Sequence, residues 1–450
     1  MCFDTCCEIG NNWLYAINLP DLEPRLQERY EKLVQQHMAT TDELAAGLRA
    51  LPETTGSFAA AQAAWRFYRN GRVTLSALME PLLAHARSAI ATECQDYVLA
   101  VHDWSALGFA KHLSKTDRIP LKTKQPVGYE LLTGILLSDQ DGQPLAPAYQ
   151  EVTSADGVLS TRSERRLPAR AHLDALTHAQ AHVERLELGK PLVHIVDAEG
   201  DSVGHMRRWA AKKQRFVTRG DDVRWVRWQG QECQVATILP QLAMRHSRPV
   251  QYHGQTAQQY VGETQVTLHR PAREHRIVNG QHVHKTRKGK PLDLRLVVSE
   301  VRDEEGTVLA RWLLWTNVWN VTAAVIALWY YWRWTIESYF KLLKRAGQHV
   351  EQWQQTSAKA IACRLLVAAM VCVVVWSLAR SRAPRATEMR QLLVRLSGRL
   401  MRRGVEFTEP ALLSGMWVLL AMLDTLERYS LAELRQLAAP FLPVPKVDSG

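Results

Sequence analysis

This sequence lacks paired cysteine spacing. Its seven cysteines (Cys2, Cys6, Cys7, Cys94, Cys233, Cys363 and Cys372) are odd in number and contain no CxxC pair. A disulfide framework is therefore not expected, and free thiols in a reducing cytoplasm are the better reading. The Cys6–Cys7 doublet with Cys2 has no downstream pair to complete a zinc site. The first residues, Met-Cys-Phe-Asp-Thr, show no basic stretch followed by an apolar core, so no signal peptide is expected. Long apolar runs are also missing. Leu365 to Trp376 is uncharged for twelve residues between Arg364 and Arg380, well short of the roughly 20 a bilayer needs, so it predicts a buried helix and no membrane contact. There is no tandem repeat and no low-complexity tract. Acids are outnumbered: 45 Asp and Glu face 56 Lys and Arg, a net charge of +11, which suits a polyanion partner. What is present, 450 residues with 46% hydrophobic and 22% charged, is a globular composition with room for two to four domains.

Residues 1–93 read as helical. Leu26, Tyr30, Leu33 and Val34 recur at helical spacing, and Thr40 or Thr41 can cap a helix at Asp42. After Gly56-Ser57 comes "FAAAQAAWRFYRN", an amphipathic helix whose Arg66, Arg69 and Asn70 stand beside aromatics. Those side chains are either solvated or reach DNA phosphates and base edges. Residues 94–220 turn to strands. "DYVLAVHD" is an apolar run ending in Asp103, and two further strands join at Asp141-Gly142. A charged helix follows over 169–188, then the buried strand "KPLVHIVDAEGD" ending in Asp197, a helix to about Lys213, and the strand "RFVTRG". This is a mixed α/β layer with both aspartates at strand ends, where side chains emerge from the sheet. Residues 221–318 are strand-rich and basic. Seven Lys or Arg lie between His269 and Lys290 among His269, His275, His282 and His284, without a repeating spacing that would fix a metal. Residues 319–380 hold two helical stretches. In 381–450, Thr408 caps an apolar helix and Ser430 with Glu433 makes a capping box for the last one. The stripe Leu412, Leu413, Met416, Leu419, Leu420 and Leu423 must be buried, within its own chain or against a second copy.

"YYWRWTIESYFKLLKR", Tyr330 to Arg345, puts charge among aromatics. On one helix, Tyr330, Arg333, Glu337, Lys341 and Lys344 fall within about 80° of each other, while Tyr339, Leu342 and Leu343 face the other way. One side packs; the other gathers a carboxylate among cations. Together with Asp103 and Asp197, Glu337 makes a set of three acids, and clustered carboxylates are neutralised best by hard divalent cations. Two such ions can serve phosphoryl transfer, with Arg333, Lys341 and Lys344 holding phosphates. Each residue also has an ordinary account. A strand-ending Asp can cap a turn, and Glu337 with Lys341 is a plain i,i+4 pair.

The combination resembles a known family. Tyr330-x2-Arg333-x3-Glu337-x6-Lys344 is similar to the Tyr-Arg-Glu-Lys signature of the insertion-sequence-four family of bacterial DDE transposases. "VDAEGD", "RFVTR", "ARWLLWT" and "AAWRFYRN" resemble its other motifs, over about residues 55–360, and 140 residues between Asp197 and Glu337 leave room for its β-rich insertion. The resemblance implies an α/β, RNase H-like mixed-sheet core interrupted by that insertion and flanked by helical DNA-binding and dimerisation regions. It makes Asp103, Asp197 and Glu337 the triad for Mg²⁺, with Mn²⁺ substituting. Asp103 is set in "HDWSALGF" where the family has Asp-Thr-Thr, and Asp96 and Asp139 are alternatives. Tyr330, Arg333, Lys341 and Lys344 would contact phosphates at the element ends, with Arg219 beside them. Trp312 would stack on a flipped base, with Trp315 as competitor. The implied activity is cut-and-paste transposition through a hairpin, by a homodimer on double-stranded DNA in the bacterial cytoplasm at the nucleoid. A structure-specific nuclease of the same fold and a degenerate DNA-binding inhibitor are the alternatives.

Overall fold

Near-continuous apolar runs become strands covered on both faces, because every alternate side chain needs burial. The computed structural model describes residues 18–38, 56–122, 126–252, 254–278 and 281–440; Cys2, Cys6, Cys7 and the Thr40 or Thr41 cap lie outside the described residues. The chain divides into two compact units. One holds residues 82–107 and 119–339, and the other holds the segments up to 81, 108–118 and from 340 onward.

The first unit is built on one sheet. Strands β1 (Val98–Gly108), β2 (Val127–Ser138), β3 (Pro144–Ser154), β4 (Leu192–Val196) and β5 (Arg215–Arg219) stand in the order β3-β2-β1-β4-β5. β1, β4 and β5 run parallel, and β2 and β3 are antiparallel to each other. This is the RNase H-like arrangement, a mixed α/β fold. β2 and β3 join at Asp141-Gly142, as the sequence predicts. Two short strands, Gly157–Ser160 and Ser163–Leu167, extend the edge beyond β3. They are not visible in the sequence pattern, and the helix after them is shorter than expected, His172–Glu184.

The basic 221–318 segment joins the same sheet. Its strands β6 (Gln255–Leu268), β7 (Leu292–Arg302) and β8 (Val308–Thr316) form an antiparallel ladder, and β8 pairs with β5. One core therefore runs under both parts: Val196, Met206, Trp209 and Phe216 pack with Leu296 and Trp315. Ala272–Val278 and Gln281–Arg287 pair as a two-stranded ribbon of their own.

In the second unit, Ala358–Arg380 is a helix buried along nearly all its length, which meets the expectation for its apolar run. Arg364 is fully buried in it; Nη1 donates to Gln355 Oε1 at 2.9 Å and the guanidinium lies 4.1 Å over the Trp353 ring. Thr408 caps the helix Glu409–Arg428, accepting from the Ala411 N–H. Its apolar stripe divides. Leu412, Leu413, Met416 and Trp417 are buried in this unit, while Leu423 and Leu426 are 48% and 47% exposed. A Cβ on Gly415 would lie 1.9 Å from the carbonyl oxygen of Leu393 in the helix Ala386–Leu396, so only glycine lets that helix and Glu409–Arg428 approach. Met416→Glu should therefore lower thermal stability by several kcal/mol, since it buries a carboxylate without a partner. Leu423→Glu should leave the melting temperature nearly unchanged, and calorimetry of the two variants checks both.

Candidate active site

The three acids come from three elements of the first unit. Asp103 sits in β1, which the sequence pattern ends at this residue. The strand instead continues to Gly108 beside β2, and only its pairing with β4 stops, at His102 opposite Val196. Asp197 follows β4 directly. Its carboxylate accepts from its neighbour Ala198 N–H at 2.7 Å and from Tyr330 Oη–H at 2.8 Å.

Glu337 lies in the helix Thr335–Leu343. The expected single helix is broken. An α-helix ends at Tyr331, a 3₁₀ turn spans Trp332–Trp334, and the second helix starts at Thr335. The tighter 3₁₀ turn changes the angular step, so the predicted face holds only locally. It still brings Arg333 Nη2 to 3.1 Å from Glu337 Oε1.

Arg333 is the centre of the arrangement. Its Nη1 is 3.4 Å from Asp103 Oδ2 and its Nη2 is 3.5 Å from Asp197 Oδ2, in addition to the Glu337 contact. The residue is only 3% exposed. Burial opposes its charge, and Asp197, Tyr330, Asp103 and Glu337 outweigh that and raise its pKa. Burial pushes the Asp103 carboxyl up to about 6 against the Trp104 N–H and Arg333, which pull it down. Burial also pushes Asp197 up, but Arg333, the Ala198 N–H, Tyr330 and Arg219 together leave it below the usual carboxylate range. Arg219, at the end of β5, stands 3.7 Å from Asp197.

The donor chemistry fits a hard divalent cation, with three carboxylates and only oxygen donors. As the side chains lie, they gather on a guanidinium, and among the described residues no group of three or more His, Cys, Asp or Glu is placed to hold a metal ion.

The other predicted residues separate. Trp315 is fully buried in the core. Trp312 is half-buried and lines a shallow cleft with Tyr252, Tyr330, Tyr331 and Trp334. Asp139 accepts from the backbone N–H groups of Gln95, Asp96 and Tyr97 at 2.7–2.9 Å, a turn-capping role that accounts for it. In the second unit Lys341 is exposed, and Lys344 is partly buried and follows the helix end; burial lowers its pKa, with Glu351 acting the other way. Arg66 and Arg69 are exposed on the helix Gly56–Arg69, with Arg69 over the Trp65 ring at 4.4 Å, and Asn70 Oδ1 caps the turn at the Arg72 N–H.

Three supporting groups escaped sequence reasoning, because each joins residues far apart in the chain. His172 lies between Glu130 and Glu199, 3.0 Å from each, and its ring stacks on Trp104 at 4.6 Å. It thereby ties together the residue after Asp103 and the turn after Asp197. Hydrogen bonds to Glu130 and Glu199 raise its pKa to about 10. A raised cationic pKa stabilises the fold fully below the unfolded value, roughly 6.5, and the gain is lost as pH rises towards 10. The melting temperature of wild type minus that of His172→Gln should therefore shrink between pH 6.5 and 10.

Beneath the sheet surface, Tyr149, His102, His194 and Glu184 form a chain. Tyr149 Oη meets His102 Nδ1 at 2.9 Å, His102 Nε2 meets His194 Nδ1 at 2.8 Å, and His194 Nε2 meets Glu184 Oε1 at 3.2 Å. With Glu184 accepting, one consistent assignment has His194 Nε2–H donating to Glu184, His102 Nε2–H donating to His194, and the tyrosine hydroxyl donating to a neutral His102 ring. Burial holds His102 well below the ordinary imidazole range, which agrees. Gly134 makes room for it, because a Cβ there would meet Tyr149 at 2.5 Å. Finally, the buried Arg295 donates from Nη1 to the carbonyls of Val318 and Val321 at 2.7 and 2.8 Å, holding the approach to the signature segment.

No family model and no curated protein matches this chain. Among solved structures, it is similar to a piggyBac transposase in a cryo-EM synaptic complex with hairpin DNA, at 10% identity and a TM-score of 0.33. The likeness covers 79% of this chain and 60% of that one.

Proposed function

We propose that this chain is a DNA transposase of the insertion-sequence-four type, cutting and joining DNA by metal-dependent phosphoryl transfer. The observation that carries the reading is the convergence of Asp103, Asp197 and Glu337, from three separate elements, on the Arg333 guanidinium. Carboxylates on a strand, just after a second strand and on a helix have no need to meet unless they share a positive charge. Divalent ions held by these acids, Mg²⁺ or Mn²⁺, would activate the attacking oxygen and stabilise the leaving one.

The chain's own residues then orient and bind. Tyr330 fixes one Asp197 oxygen, Oδ1, through its hydroxyl, while Oδ2 faces Arg333. Arg219, 45% exposed at the rim, carries positive charge to a phosphate beside that acid. Lys341 and Lys344 extend the cationic segment, and Arg66, Arg69 and Asn70 form a second DNA-binding segment. Trp312, in its aromatic cleft, offers a stacking surface for a base displaced from the helix, as a hairpin step requires. We further propose that a homodimer holds two element ends. The exposed second half of the Glu409–Arg428 helix is the part of the stripe left for a partner.

The structure-specific nuclease and the degenerate inhibitor remain the competing functions. The inhibitor is disfavoured because all three acids are present. The test is cleavage, with purified protein and Mg²⁺, of linear DNA carrying the sequences that flank this gene, searched first for inverted repeats. Cuts at the repeat ends followed by joining to a target support the transposase. Cuts at branched DNA without end specificity support the nuclease, and binding without cutting supports the inhibitor.

A further inference from the structure

We propose that Arg333 is an internal counter-ion for the acidic triad, occupying the carboxylates that a divalent cation needs, and that bound DNA draws it away so that metal loads on a protein already holding its substrate. The inference rests on the metal-dependent reading above and names the regulation of that site.

The contacts are those of a general neutraliser. Two terminal nitrogens serve three carboxylates, at 3.1, 3.4 and 3.5 Å. Charge-assisted pairs in good geometry are shorter, about 2.7–2.9 Å, and arginine is best satisfied by a fork-to-fork match with one anion. Here no acid receives both nitrogens, and Nε is buried without an acceptor. One cation facing three carboxylates also leaves the cluster under-neutralised, and Arg219 approaches only the Asp197 side. The seat is therefore occupied but poorly matched.

A cation entering this cluster competes with Arg333 for the same oxygens. Metal affinity in the DNA-free protein is then reduced by the fraction of molecules in which Arg333 has left. A phosphodiester offers, in its two non-bridging oxygens, the bidentate partner that the guanidinium lacks here. The half-exposed Trp334, with its ring 4.7 Å from the guanidinium, supplies a contact on the outward side that does not compete for the acids. A purely structural ion pair at this position has no such consequence: its loss would weaken the fold and leave metal binding unimproved.

The test is Mn²⁺ titration of full-length, DNA-free protein, with free Mn²⁺ followed by electron paramagnetic resonance. Arg333→Gln should bind Mn²⁺ at least tenfold more tightly than wild type, and the gain should vanish in Arg333→Gln/Asp197→Asn. Equal or weaker binding by folded Arg333→Gln overturns the inference. A second measurement needs no variant at Arg333. Saturating double-stranded DNA should raise the Mn²⁺ affinity of wild type above that of Asp197→Asn, which cancels ions held by the DNA itself. No difference between these two overturns it as well. If acid-dependent cleavage persists while either arm fails, only the counter-ion role falls. If no acid variant affects cleavage, the metal-dependent reading itself is lost.

Discussion

Asp103→Asn, Asp197→Asn and Glu337→Gln should each reduce metal-dependent cleavage of element-end DNA by about 10³-fold or more, while end binding stays within a few-fold of wild type. The substitutions keep side-chain volume and remove only the charge and its lone pairs. Each also removes one of the three partners of Arg333, so binding to DNA phosphate becomes no harder and can become easier. Gel shifts and single-turnover cleavage with Mg²⁺ and Mn²⁺ separate the two effects. Wild-type cutting by any one variant removes that residue from the triad. Asp139→Asn is the control. Its carboxylate caps three backbone N–H groups, so this change should lower stability and leave the chemistry of folded protein intact.

Trp312→Ala should slow hairpin formation by about 10- to 100-fold and first-strand nicking far less. A base taken out of the helix loses stacking, and an aromatic surface returns roughly 1–3 kcal/mol of it. That range corresponds to about fivefold to 150-fold in rate if the contact is made only as the base leaves, which brackets the expected slowing. The cleft beside Trp312 is bounded by Tyr330, whose hydroxyl holds Asp197, so a base seated there would lie next to the acids. Denaturing gels of a labelled end resolve nicked, hairpin and opened products in time. Equal slowing of nicking and hairpin formation would mean that Trp312 serves packing against Val250, Ala257 and Val301, which it also touches. Trp315→Ala is the comparison. Buried at the centre of the core, it should cost about 3–5 kcal/mol of stability.

Features set by near neighbours could be read from the chain alone. The buried strands β1 and β4, the β2–β3 turn at Asp141-Gly142, the buried Ala358–Arg380 helix and the caps at Thr408 and Ser430 depend on alternation, helical period and side chain-to-backbone bonds within four residues. Around the three acids only part of the local pattern was legible: Asp197 follows its strand as expected, whereas β1 runs on past Asp103 and the helix expected to carry Glu337 is broken at Trp332–Trp334.

What tertiary structure decided is where those pieces meet. Nothing local in the sequence seats Arg333 beside Asp103 and Asp197, because these acids lie on a strand and just after another, whose neighbours are chosen by the whole sheet. The same holds for Trp315 in the core and Trp312 at the cleft, three residues apart on one strand, and for Met416 buried while Leu423 is exposed. The break at Trp332–Trp334 belongs here too, since its period is helical on paper and the turn packs Trp332 against Gly142, a residue of the distant β2–β3 turn. Local rules act over one or two turns of chain, whereas burial and charge neutralisation act through space between residues far apart in sequence, and only the folded sheet brings those together.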